Sequence, residues 1–273
     1  SVSSGKLANV MGTSSRRNWD FFTSDNSTPD NSTAHNSVLQ LGVGDTLKWS
    51  MSFTLPNGAT SNAGNASRDF RIGIYTDPTD ARVQTDTNSD SGGATNPWGD
   101  ALGYGMKIPL NGNLSNTTSL FQIGKRTSSA STTLFGSDSS YTYAPVGGAA
   151  QGLSANTSYT AEMVLNEVSA TDMKITANFY QGTTLLSTQT VDDLGSSVGG
   201  TANIAGSFAA ASSIYTKFDQ LAFRMSSNTT TSEIDFTNWK VDYTAAVPEP
   251  TMIGVICLAG YAMLARRPRR ERA

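Results

Sequence analysis

The apolar residues of this chain fall in short alternating runs, separated by polar turns. In the clearest run every second residue is apolar, and the residues between them are Thr, Lys or Ser. The apolar positions of that run are Leu47, Trp49, Met51, Phe53 and Leu55. Because successive side chains of a strand point to opposite faces, this period of two predicts a strand with one buried and one solvated face.

The same alternation recurs along the chain and predicts about a dozen short strands. Clear runs occur at 70–74, 102–108, 159–165, 173–179, 218–225 and 234–243, and weaker ones at 19–22, 120–123, 132–135 and 185–191. The step from Phe236 to Trp239 breaks the alternation, which predicts a β-bulge. Asn166 to Asp172 is predicted to join two strands as a hairpin. Such strands favour two antiparallel sheets packed face to face.

The number of strands and the closing run from Phe218 to Tyr243 resemble the concanavalin-like jelly roll of lectins, laminin-G-type modules and some glycoside hydrolases. The resemblance implies an all-β fold, a two-sheet antiparallel β-sandwich over 1–244.

The end of the chain has a different composition, in three consecutive blocks. A linker at 245–250 contains Pro248, Glu249 and Pro250, and its prolines exclude regular structure. An uncharged run follows, with an apolar helix predicted over 251–265. Its first fourteen residues would span roughly 21 Å, less than the ~30 Å core of a bilayer. Thr251, Ile253, Val255, Ile256, Leu258 and Leu264 belong to this membrane segment.

A basic end at 266–273 then matches the positive-inside rule for a cytoplasmic flank. Its cations are Arg266, Arg267, Arg269, Arg270 and Arg272. The alternatives are a soluble core helix or a basic tail that binds nucleic acid.

This tripartite ending resembles the PEP-CTERM sorting signal of exported bacterial proteins. The resemblance implies that Pro248, Glu249 and Pro250 are recognised by an exosortase-type processing enzyme while the helix is held transiently in the inner membrane. It further implies a destination at the cell surface or in the extracellular matrix, often beside exopolysaccharide. Since proteins of this family carry a signal peptide, we expect the sequence beginning at Ser1 to be trimmed or a fragment.

The net charge and the cysteine content of the chain disfavour some classes of function. Residues 1–246 hold fourteen basic and twenty acidic side chains, a net charge of −6, which disfavours nucleic acid as a partner. The same residues contain no cysteine, so the body is not a disulfide scaffold. Cys257 is expected to be a small apolar residue of the membrane segment.

Few residue types needed for catalysis are available. His35 is the single histidine, which disfavours His-based triads and zinc sites. The run Glu233-Ile-Asp235 resembles the catalytic strand of laminarinase-type hydrolases. Asn238 stands where that motif has its second catalytic carboxylate, so retaining hydrolysis is not expected. We therefore predict a protein that is not an enzyme.

The polar loop at 76–100 contains two candidate binding sites. Asp86, Asn88 and Asp90 place oxygen ligands at alternate positions, as calcium sites require, although a solvated acidic loop has the same composition. Trp98, with Asn96 and Asp100, is a candidate platform for stacking a sugar ring; the alternative is a loop residue packed against the rim. Weaker candidates for the same role are Tyr75, Tyr141 and Tyr143.

The sequence thus predicts a non-catalytic exported surface or matrix protein with polysaccharide as the expected ligand class and no required cofactor. Two alternatives stay open: a hydrolase or lyase acting on polysaccharide, and a purely structural or adhesive surface protein.

Overall fold

The computed structural model describes residues 2–3, 6–10, 16–22, 38–56, 69–76, 101–109, 121–126, 141–144, 153–195, 213–225 and 233–247. Every regular element within these ranges is a β-strand. The strands are β1 (Val2–Ser3), β2 (Lys6–Val10), β3 (Arg16–Phe21), β4 (Leu39–Gln40), β5 (Thr46–Thr54), β6 (Asp69–Thr76), β7 (Leu102–Pro109), β8 (Gln122–Arg126), β9 (Tyr141–Tyr143), β10 (Ser158–Ser169), β11 (Asp172–Gln181), β12 (Thr184–Asp193), β13 (Lys217–Phe218), β14 (Gln220–Met225) and β15 (Glu233–Thr244). None of the described segments forms a helix of the length and apolarity needed to cross a bilayer.

The strands form two large antiparallel sheets and one small ribbon. The first sheet has the order β1-β2-β15-β5-β10-β11-β12, and the second has the order β3-β14-β6-β7-β8-β9. Strands β4 and β13 pair separately. The prediction of an all-β, two-sheet antiparallel sandwich is confirmed.

The core lies between the two sheets. Strand β5 occupies the centre of the first sheet, and all five apolar residues predicted to face inward are fully buried. The ring of Phe53 on β5 lies 5.1 Å from the ring of Phe70 on β6, centroid to centroid, so the sheets contact each other through aromatic side chains. Burial of such rings is the main stabilisation available to a body without disulfides.

Two local predictions are also confirmed. The pairing of β15 with β5 shifts register between Phe236 and Asn238, where the broken alternation predicts a bulge. Strands β10 and β11 form the expected hairpin, with Ser169 paired to Asp172 across its tight turn.

Some strands were not predicted. Strands β1 and β2 lie in a polar stretch without alternation, and β2 is a strand because it pairs with β15. Strand β9 is only three residues long and exists through its pairing with β8. The strand predicted at 132–135 and the helix predicted at 251–265 lie outside the described residues.

Candidate functional site

The principal sites predicted from the sequence lie outside the described residues. These are the sorting motif Pro248, Glu249 and Pro250 with the membrane segment and arginine cluster, the sugar-binding candidates Asn96, Trp98 and Asp100, and the calcium candidates Asp86, Asn88 and Asp90. No group of three or more His, Cys, Asp or Glu side chains suited to a metal ion occurs among the described residues. The weaker sugar-binding candidates Tyr75, Tyr141 and Tyr143 lie within the described residues.

These tyrosines lie on the second sheet, on the face directed away from the core. Along β6 the residues Phe70, Ile72 and Ile74 join the core, so the residues between them point to the opposite face. We call this surface the basic face. Its described polar and aromatic side chains are Arg71, Tyr75, Lys107, Gln122, Arg126, Tyr141, Tyr143, Gln220 and Arg224.

The three tyrosines contact one another. The hydroxyl oxygens of Tyr75 and Tyr141 lie 3.1 Å apart and share a hydrogen bond. The rings of Tyr141 and Tyr143 stack with 5.9 Å between their centroids. Ala101 and Ala222 complete a small apolar cluster around them, separate from the main core.

Glycines on the neighbouring strands make room for these rings. A Cβ on Gly103 would meet the carbonyl oxygen of Ile74 and would lie 2.8 Å from the Tyr75 ring. A Cβ on Gly124 would lie 2.8 Å from the Tyr143 ring. The rings therefore lie low over the sheet because the backbone beneath them carries no side chain.

Burial and the nearby cations set the protonation of the tyrosines. Burial raises the pKa of Tyr141 to about 12, although Arg126, Arg71 and Arg224 act in the opposite direction. Burial, with the neighbouring Tyr141, also raises the pKa of Tyr75 well above its usual value. Both phenols are therefore protonated at neutral pH and can donate hydrogen bonds.

The basic side chains surround this tyrosine cluster. Lys107 places its Nζ 5.1 Å from the centroid of the Tyr143 ring, a cation–π contact. The Nη1 of Arg126 donates a hydrogen bond to the carbonyl oxygen of Ala101 at 2.6 Å. Arg71 and Lys107 are almost fully buried, whereas Arg224 and Tyr143 are half-buried. The half-buried residues are thus the most accessible part of the basic face.

Gln220 adds a buried amide to the same face. Its position pairs with Tyr75 in the register of β14 and β6, and its side chain is 1% exposed. Among the residues that the structure describes, neither the Nε2 nor the Oε1 atom has a hydrogen-bond partner. Because a buried polar group without a partner costs free energy, this amide is a candidate contact for a ligand.

Sequence reasoning found the tyrosines but missed the cations and Gln220. The sequence does contain a pattern that distinguishes these strand positions. The residues that alternate with Phe70, Ile72 and Ile74 are an Arg, a Gly and, after Ile74, a Tyr, whereas those between the apolar residues of β5 are Ser, Thr and Lys. Arg and Tyr at outward strand positions are typical of recognition surfaces rather than of a simple solvated face.

Comparisons with known proteins give fold neighbours only. No family model matches the chain, and no curated protein matches its sequence. A legume lectin-like domain from Entamoeba histolytica is 9% identical, with 90% of this chain and 87% of that chain covered and a TM-score of 0.44. Peanut lectin is 11% identical, with 88% and 86% covered and a TM-score of 0.35.

An alginate lyase from Klebsiella pneumoniae is 12% identical, with 73% of this chain and 60% of that chain covered and a TM-score of 0.29. Identities this low and TM-scores below 0.5 bear on neither the ligand nor the activity of this chain. The chain is similar to these proteins in its all-β class.

Proposed function

We propose that this chain is a non-catalytic carbohydrate-binding protein that uses the basic face of its β-sandwich. The observation that supports this most directly is the meeting of Tyr75, Tyr141 and Tyr143 beside cations and an amide on one sheet face. The half-buried Tyr143 ring offers apolar surface to a sugar ring, and the half-buried Arg224 guanidinium is a hydrogen-bond donor for hydroxyls.

The protonation of the tyrosines favours binding over elimination chemistry. A polysaccharide lyase needs a base that takes a proton from carbon. Burial raises the pKa of both Tyr75 and Tyr141, so neither phenol is prepared to act as that base at neutral pH. Their hydroxyls instead share a hydrogen bond with each other.

We further propose that the protein is exported by a bacterium and sorted through its PEP-CTERM-like tail to the cell surface or extracellular matrix. The exposure of the residue before Pro248 supports this proposal. Strand β15 ends at Thr244, and Val247, the residue directly before Pro248, is 87% exposed. An exosortase-type enzyme would require such an exposed residue next to its Pro-Glu-Pro recognition motif.

Binding can be tested on a glycan array with the full chain in detergent. Tyr143→Ala removes a half-buried ring from the basic face, and Tyr180→Ala removes a half-buried tyrosine from the first sheet as a matched control. We expect the wild type and Y180A to bind the same glycans and Y143A to lose about tenfold in affinity. Silence of the wild type on all glycans would sink the proposal, and turnover of any glycan would sink its non-catalytic part.

Sorting can be tested in the native host with Pro248 and Pro250 both changed to Ala. We expect the wild type to lose its tail and reach the surface, while the variant stays in the inner membrane with its full mass. If both forms keep the tail and stay membrane-bound, the exosortase proposal is wrong.

A further inference from the structure

Two carboxylates lie beside each other at one end of the first sheet. Asp45 directly precedes β5, and Glu167 lies near the end of β10. The backbone N–H of Glu167 donates to the carbonyl oxygen of Asp45 at 3.2 Å, so the two residues stand side by side. Each is buried and lies two positions from a core leucine of its own strand, Leu47 or Leu165. Since side chains two positions apart share a face of a strand, both carboxylates point inward.

Glu167 carries a carboxylate that the described residues do not neutralise. Its side chain is 6% exposed, and its Oε2 atom is buried and has no hydrogen-bond partner. Burial raises the pKa of this carboxyl group, and the negative charge of Asp45 raises it further. A buried carboxylate without a partner is unfavourable, and a like charge beside it adds repulsion. A cation bound at the pair would offset both effects.

Asp45 does not relieve the repulsion by taking up a proton. Its carboxylate accepts hydrogen bonds from the N–H groups of Ala246 and Gly42 and from the Tyr243 hydroxyl. These three donors lower the pKa of Asp45, so the group is ionised at neutral pH. The two oxygens of a carboxylate together offer about four lone-pair sites, so three hydrogen bonds leave capacity for a cation. Asp45 therefore keeps a negative charge next to Glu167 and can still act as a ligand.

The residues next to the pair in the chain are exposed. Gly42 and Gly44 are exposed, Val43 is 57% exposed, and Val168, which follows Glu167, is 46% exposed. The pair thus lies close beneath the surface, where a small ion can reach it from the solvent. Glu167 itself is too deeply buried to meet a large ligand, so the group that neutralises it has to be small.

We infer that Glu167 and Asp45 together bind a calcium ion at this end of the first sheet. Calcium accepts carboxylates, backbone carbonyls and water in flexible geometry, whereas magnesium demands a near-ideal octahedron. Two carboxylates are few for such a site, so the affinity is that of extracellular calcium modules, about 10⁻⁴–10⁻³ M. The inference does not depend on the proposed carbohydrate-binding function. The site is also separate in the chain from the calcium candidates Asp86, Asn88 and Asp90.

The first measurement is thermal unfolding of the full chain in detergent at neutral pH, with EDTA, with calcium and with magnesium. Calcium at about 10 mM should raise the Tm by about 3–10 °C, because an ion that binds only the folded state stabilises it. Magnesium should raise the Tm less. If calcium does not raise the Tm, or if magnesium raises it equally, the inference is wrong.

Glu167→Gln removes the charge and keeps the shape of the side chain. With EDTA this variant should be at least as stable as the wild type, because a buried unpaired charge is removed, and calcium should leave its Tm unchanged. Glu162→Gln is the matched control on the same strand, since Glu162 already forms an ion pair with Lys48 at 2.6 Å. E162Q should respond to calcium as the wild type does. Lower stability of E167Q than of the wild type in EDTA would show that the Glu167 charge already has a partner, and the inference would fail.

A double variant, Asp86→Asn with Asp90→Asn, separates this site from the loop at 76–100. It should keep the calcium response, and loss of the response in this variant but not in E167Q would overturn the inference. Hydrogen exchange gives a local readout, because the Glu167 amide donates to the Asp45 carbonyl oxygen. Calcium should slow exchange of that amide in the wild type and not in E167Q, and equal slowing in both would contradict the site. Glycan binding is measured separately, so either proposal can fail while the other stands.

Discussion

The carboxylate of Asp45 accepts a hydrogen bond from the backbone N–H of Ala246 at 2.7 Å. The two residues are 201 positions apart. The same carboxylate accepts hydrogen bonds from the Tyr243 hydroxyl and the Gly42 N–H, both at 2.8 Å. Asp45 therefore fixes Ala246, which is two residues before Pro248 in the sequence.

The hydrogen bond from the Ala246 N–H to the Asp45 carboxylate should depend on pH. The hydrogen bonds from Ala246, Gly42 and Tyr243 lower the pKa of Asp45 in the folded protein. The stabilisation is therefore complete above the unfolded value of about 3.9 and is lost as the pH falls through the lower folded value. We expect the Ala246 amide to be protected from hydrogen exchange at neutral pH and to lose this protection in stronger acid.

Asp45→Ala should abolish that protection at every pH. Asp242→Asn is the matched control, since the Asp242 carboxylate forms an exposed ion pair with Lys240 on the same strand. If the Ala246 amide of D45A exchanges as slowly as that of the wild type at neutral pH, Asp45 does not hold Ala246 in place.

A buried ion pair joins the two sheets. Nζ of Lys125 on β8 lies 2.6 Å from Oδ2 of Asp193 on β12, and both side chains are 1% exposed. The Tyr104 hydroxyl donates to the same oxygen at 2.7 Å. Since Lys125→Met leaves a buried carboxylate without its cation, it should lower the free energy of unfolding by about 3–5 kcal/mol. Denaturant unfolding measures this loss.

Two further variants test whether the Lys125–Asp193 ion pair has the effect expected of a buried pair. Lys125→Met combined with Asp193→Asn should cost less than the sum of the single changes, because no charge is then left unpaired. Lys240→Met, which breaks the exposed pair with Asp242, should cost at most about 1 kcal/mol. Equal losses for the K125M and K240M variants would contradict the buried role of Lys125.

Gly103 should tolerate no side chain. A Cβ there would meet the Ile74 carbonyl and would lie 2.8 Å from the Tyr75 ring, so Gly103→Ala should destabilise the protein by about 1–3 kcal/mol. It should also displace Tyr75 and weaken glycan binding. At Gly42 the nearest atom would lie at 3.5 Å, an ordinary contact, so Gly42→Ala should leave both properties nearly unchanged. Thermal unfolding and glycan affinity measure the two effects.

Phe53 should be among the costliest core positions. Its ring contacts the rings of Phe70, Tyr159, Phe179 and Phe236. Phe53→Ala removes these contacts and leaves a cavity, which should cost about 3–5 kcal/mol. Val168→Ala, at a position 46% exposed, should change the free energy of unfolding by less than about 0.5 kcal/mol. A loss below about 1 kcal/mol for F53A would mean that the sheets do not pack through this ring.

The alternation of apolar and polar residues predicted strands correctly where one face of the strand packs on the core and the other face does not. Strand β5 is the clearest case, because each apolar residue meets the core and each polar residue does not. Strands β2 and β9 were missed because pairing with a neighbour, rather than their own pattern, makes them strands. Trp49 was correctly assigned to the core, and Trp239 is half-buried against it.

The sequence by itself determined the all-β class, the inward face of each main strand, the bulge in β15 and the tripartite composition of the chain end. All of these are local properties, readable from the order of neighbouring residues. Apart from the β10–β11 hairpin, only the tertiary structure decided which strands lie side by side. Lys107 and Arg224 are far apart in the chain, yet each stands beside Arg71. Strand order depends on long-range packing between sheets, which a period of two cannot encode, so the basic face emerged only from the folded sandwich.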